Sequence, residues 1–211
     1  MAGILDLLQS SEGKQMIQGL SRETGAPAHK TADVLSMALP LLLGGMKKNA
    51  TDEKGAQSLM NALNSSKHDG SILNNLGGLF EGGVDDHILK DGAGILGHVF
   101  GNKQAPVEQA LSQKSGLDTA TIAKILKVAA PVIMGYLAKQ KSKHDVSDTG
   151  SMNSLLGGLL GGQPEQNQSL LMSLIDADGD GSVLDDVAGM VMGNKKKGGG
   201  IGGMLGGLFG K

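Results

Sequence analysis

The chain has 211 residues, a formal net charge of −2 and no cysteine. A nearly neutral surface gives no overall drive toward nucleic acid or anionic membrane, and the missing thiols exclude disulfides, thiolate zinc sites, iron–sulfur ligation and cysteine nucleophiles. Aromatic residues make up only 2% (Phe80, Phe100, Tyr136 and Phe209), so a core has to be built from Leu, Ile, Val, Met and Ala, which favours packed helices over a β-sandwich.

The opening stretch, "MAGILDLLQSSEGKQ", has no basic segment and meets an acid at Asp6. It does not read as a signal peptide, and a cytoplasmic location is the expectation. The residues before Gly25 form an amphipathic segment, with glycine where a helix C-cap belongs. The next segment is apolar almost all round, through Val34, Leu35, Met37, Ala38, Leu39 and Leu41 to Leu43. A helix apolar on every face belongs at the centre of a fold. "VLSMALPLLLGGM" is too short to span a bilayer. It carries Pro40, which should kink the helix and free a carbonyl one turn back. This first unit closes with "SILNNLGGLFEGG" from Ser71.

The linking "DGAGILGHVFG", Asp91 to Gly101, leads into a second copy of the same pattern. "AGIL" at Ala2–Leu5 recurs at Ala93–Leu96, an offset of 91. "LSRETGAPAHKTADVLSMALPLLLGGMKK" from Leu20 matches "LSQKSGLDTATIAKILKVAAPVIMGYLAK" from Leu111 at that offset. Gly25 pairs with Gly116, Pro40 with Pro131, Gly44 with Gly135 and Lys48 with Lys139. "SMNSLLGGLLGGQ" from Ser151 resembles the close of the first unit. Residues 1–150 therefore read as a tandem-duplicated helical domain, with units of about 2–83 and 93–162. The expected fold is all-α and multihelical, with two buried central helices.

Residues 164–193 read as an EF-hand-like helix–loop–helix around "DADGDGSVLDD". Calcium loops place oxygen ligands at positions 1, 3 and 5, glycine at 6, a carbonyl at 7 and an acid at 12. Asp176, Asp178 and Asp180 stand at 1, 3 and 5, Gly181 at 6 and Ser182 at 7. Position 12 is Val187, so the closing ligand has to be Asp186, one place early. Asp185 would point about 100° away on the exiting helix. The competing reading is a helix start, with Ser182 and Asp185 as a capping box and acids favouring the helix dipole. That reading leaves unexplained three aspartates at alternate positions, which repel one another without a cation. One calcium site at Asp176, Asp178, Asp180, Ser182 and Asp186 is the expectation. Magnesium fits less well, because it demands tighter octahedral geometry.

Residues 194–211 read as a flexible Lys- and Gly-rich tail. Its "MLGGLFG", Met204 to Gly210, echoes "NLGGLFEG" at Asn75–Gly82 and is the candidate for self-association or for docking on a protein partner. The Lys195–Lys197 run beside a short glycine-rich apolar stretch allows only weak membrane contact.

The order of "ALPLLLGGMKKNA", "DGAGILGHVFG", "AAPVIMGYLAKQK" and "LIDADGDGSVLDDVAGM" resembles the bacterial YidB-like family, a domain of unknown function. The resemblance covers about residues 1–190 and implies a multihelical fold with two buried central helices. It implies no activity.

Five histidines occur without metal-ligand spacing, and His98, within an apolar run, is expected to be buried or capping. There is no G-x-S-x-G, no Walker loop and no G-x-G-x-x-G after a strand. The expectation is a non-enzymatic, calcium-binding helical interaction or scaffold protein. The alternative is a peripheral membrane or envelope-associated protein that uses the basic tail.

Overall fold

The computed structural model describes residues 3–161, 167, 169, 170, 173 and 174. Among these residues all regular structure is helical. The order is α1 (Asp6–Gln9), α2 (Ser11–Thr24), α3 (Ala28–Asn49), α4 (Glu53–Leu63), a 3-10 turn (Ser71–Asn75), α5 (Leu76–Leu79) and α6 (Asp86–Phe100). A second 3-10 turn (Gly101–Lys103), α7 (Gln104–Ser115), α8 (Thr119–Lys143) and α9 (Thr149–Leu160) follow.

The duplication is visible in individual hydrogen bonds. Gly25 and Gly116 end α2 and α7 in the left-handed conformation, with φ of 72° and 67°. Just before them, Ser21 Oγ donates to the Ala26 carbonyl at 2.7 Å, and Ser112 Oγ donates to the Leu117 carbonyl at 2.6 Å. Thr24 and Ser115 each turn a hydroxyl back to the carbonyl four residues earlier, both at 2.7 Å. These are the same corners at the offset of 91 read from the sequence.

The two all-apolar segments become the central helices α3 and α8. Val34, Leu35, Leu39 and Leu42 on one, and Ile122, Ile125, Leu126 and Ile133 on the other, are fully buried. Helix α8 is long and apolar enough to cross a membrane, yet 67% of its most apolar stretch is buried inside the molecule. That is the pattern of a core helix.

Each central helix runs unbroken through its proline, and each freed carbonyl has been given a neighbour. Pro40 leaves the carbonyl of Ser36 without its helical donor, and Asn167 Nδ2 donates to it at 3.0 Å. Pro131 does the same to Lys127. There α6 comes so close that any side chain at Gly92 would collide with the Lys127 carbonyl. Leu170 and Leu174 join the main core. The backbone N–H of Ile4 donates to Leu159 at 2.9 Å, so the segment before α1 is tied to α9.

The closing motifs cross over. In the first unit, Ile72 of the 3-10 turn packs against Gly135 of α8. In the second unit, Asn153 of α9 donates to the Ala50 carbonyl at the end of α3. Each unit is therefore held against the central helix of the other.

The two copies differ after the central helix. Lys48 pairs with Lys139 at an offset of 91, but Ser71 pairs with Ser151 at an offset of 80. The difference of 11 residues is the length of α4. The first unit thus carries an extra helix where the second passes from α8 to α9 by a short turn.

Candidate functional site

The extra helix opens a groove. Helix α4 stands opposite α6, with the C-terminal end of α3 and one turn of α8 beneath, and the space between them is about 1070 Å³. The floor is Met46 of α3 and Met134 of α8, both buried. Leu59 of α4 and Ile88, Ile95 and Val99 of α6 form apolar walls. The apolar residues of α6 recur at helical spacing, so one stripe faces the groove while the opposite stripe packs on α8. Gly55 fixes one corner: its N–H donates to the N-cap carboxylate of Asp52 at 2.8 Å, which starts α4 beside the end of α3.

Polar groups stand at the lip. His68, in the turn after α4, is buried, and its Nε2 lies 2.9 Å from Asp91 Oδ2 on α6. Its Nδ1 is 3.2 Å from the Ala62 carbonyl. The imidazole thus bridges the end of α4 to the middle of α6 and closes one end of the groove. Across the other side, Asn49 Nδ2 donates to the His98 carbonyl at 2.7 Å and ties α3 to α6. Lys67, His87, Lys90 and His98 are exposed on the rim. Asp91 is the single carboxylate among the described lining residues, and it already faces His68. An apolar trough with a cationic rim can hold a ligand that is apolar along its length and negative at one end.

No described feature of the groove points to bond-breaking chemistry. Ser58, its one lining hydroxyl, donates back to the Lys54 carbonyl of its own helix at 2.8 Å. Among the described residues no group of three or more His, Cys, Asp or Glu side chains could hold a metal ion.

Asp176, Asp178, Asp180, Ser182 and Asp186 lie outside the described residues, as does the tail motif at 204–210. The internal copy of that motif is described. Phe80 packs flat on Gly19 of α2, where any side chain would collide with its ring. His98 is not buried. It is exposed on the last turn of α6, because the apolar run around it is one stripe of an amphipathic helix and His98 falls on the outer edge. The buried histidine is His68, in the polar "SSKHDG", where an apolar-run argument gives no hint of burial. The signal that would have found the groove is the change of offset between the repeats, which marks α4 as a helix of the first unit with no match in the second.

No curated protein and no solved structure matches the chain. The pattern of one family of bacterial proteins matches residues 6–140 and 145–211, nearly the whole length. The chain belongs to that family, the bacterial proteins of unknown function grouped as DUF937.

Proposed function

We propose that the protein is a non-enzymatic helical binding protein whose duplicated body is a rigid scaffold for the groove between α4 and α6. The observation that carries this reading is the coincidence of symmetry breaking and cavity. A helix of the first unit with no match in the second is the helix that makes the groove. A large apolar pocket with a few convergent polar groups is the default place for a ligand. A thermal-shift screen of small molecules tests the reading. Ligands that raise the melting temperature of the wild type should lose most of their effect in Gly94→Leu, which projects a side chain into the groove. Ligands that stabilise both proteins equally would place binding elsewhere and remove the groove as the functional site.

A second element of the proposal rests on the sequence of the C-terminal loop. Asp176, Asp178 and Asp180, with the Ser182 carbonyl and Asp186, are proposed to hold one calcium ion. The site would pin the segment that follows Leu174, a residue packed in the core. Calorimetric calcium titration tests it.

A further inference from the structure

We infer that the groove takes a single-chain anionic amphiphile, a free fatty carboxylate. The inference rests on the groove being a binding site and goes on to name the chemistry of its occupant. The described lining includes no Phe, Tyr or Trp side chain. Aliphatic residues and two methionines suit a flexible alkyl chain, and Met46 and Met134 can adjust to it. The only rings among the described lining residues are the imidazoles of His68, His87 and His98 at the lip, so a flat aromatic ligand would find no ring to stack on along the floor and walls.

The charge pattern selects the head group. Lys67 and Lys90 are exposed on the rim, flanked by His87 and His98. The one lining carboxylate, Asp91, is held against His68. A carboxylate at the rim therefore meets ammonium groups, and a quaternary ammonium head would meet like charge.

Gly94 makes the inference testable. It lines the groove, it sits within α6, and a side chain built there meets nothing within 4 Å. A leucine at this position enters the groove and also favours the helix over glycine. Gly97 has the same free space but does not line the groove, so Gly97→Leu is the control for an added leucine.

The experiment is calorimetric titration of the full chain with dodecanoate below its micelle concentration, beside dodecanol and dodecyltrimethylammonium. The wild type and Gly97→Leu should bind dodecanoate. Gly94→Leu should lose at least about tenfold in affinity without a fall in melting temperature. Lys67→Gln with Lys90→Gln should weaken dodecanoate by about two- to fivefold per lysine and leave dodecanol unchanged. Absence of dodecanoate binding overturns the inference. So does equal binding to Gly94→Leu, or binding of the ammonium amphiphile as tight as that of the acid. Capture on anionic phospholipid vesicles without binding of monomeric dodecanoate would assign the rim to a membrane surface and overturn it as well. If another compound binds in a Gly94→Leu-sensitive way while dodecanoate does not, the fatty carboxylate falls and the groove stands.

Discussion

Asn167 donates its side-chain amide to the carbonyl of Ser36 at 3.0 Å, and that carbonyl is the one Pro40 deprives of its helical partner. The contact joins residues 131 positions apart and fastens Asn167 to the first central helix. The second unit solves the same problem differently, by pressing Gly92 of α6 against the carbonyl freed by Pro131. The prolines thus create docking points on the two central helices, and different parts of the chain use them.

Asn167→Ala should destabilise the protein by about 1 kcal/mol, the net value of one such hydrogen bond. In a Pro40→Ala background the helix regains its own donor to Ser36, so the cost of Asn167→Ala should shrink. Denaturant titration of the four proteins as a double-mutant cycle measures the coupling. Additive effects would mean that the freed carbonyl does not depend on Asn167.

Gly92→Ala should be destabilising by about 1–3 kcal/mol, because the new methyl collides with the Lys127 backbone and α6 has to lift from α8. Gly97→Ala, on the same helix with open space around it, should instead stabilise by about 0.5–1 kcal/mol. Opposite signs for two glycine-to-alanine changes five residues apart are a demanding check on how α6 sits. Equal signs, read by chemical denaturation, would contradict the packing.

Asp118 and Asp148 contribute to the acid behaviour. The backbone N–H of Thr121, and then its hydroxyl, hold the Asp118 carboxyl below its usual range. The backbone N–H of Ser151, and then its hydroxyl, do the same for Asp148. The folded protein therefore binds these protons less readily than the unfolded chain. The stabilisation is complete above the ordinary carboxylate value of about 4 and is lost as pH falls through the lowered folded values. Asp118→Asn with Asp148→Asn removes this titration while keeping capping side chains. The melting-temperature gap to wild type should be widest at neutral pH and close in acid. A gap that widens in acid would reverse the assignment.

Much of this fold could be read from the residues. Val34–Leu43 and Ile122–Leu137 are apolar almost all round, and a central helix accommodates that pattern. Gly25 and Gly116 mark helix ends because each adopts a positive φ there. Both prolines announce a freed carbonyl, but nothing local announces which distant residue will meet it. Asn167 and Gly92 become partners only when helices separated in sequence are packed together. The groove is hidden for the same reason. Its walls come from α3, α4, α6 and α8, and the His68–Asp91 pair spans 23 positions with no motif to mark it.

The calcium proposal has its own test. Wild type titrated with calcium should give heat and a rise in melting temperature, and Asp178→Ala with Asp180→Ala should give neither. Asp186→Ala should weaken binding if that residue closes the coordination shell. A wild type that shows no heat and no calcium-dependent melting shift has no such site.

The most direct measurement of the central claim is an amide chemical-shift titration of the full chain with dodecanoate. Perturbations should concentrate in α4, α6 and the turn that carries Lys67 and His68, with the amides of Leu59, Gly94 and Val99 among the largest. Perturbations centred on α2 and α5 around Gly19 and Phe80, or no perturbation at all, would contradict the assignment of the groove between α4 and α6 as the binding site.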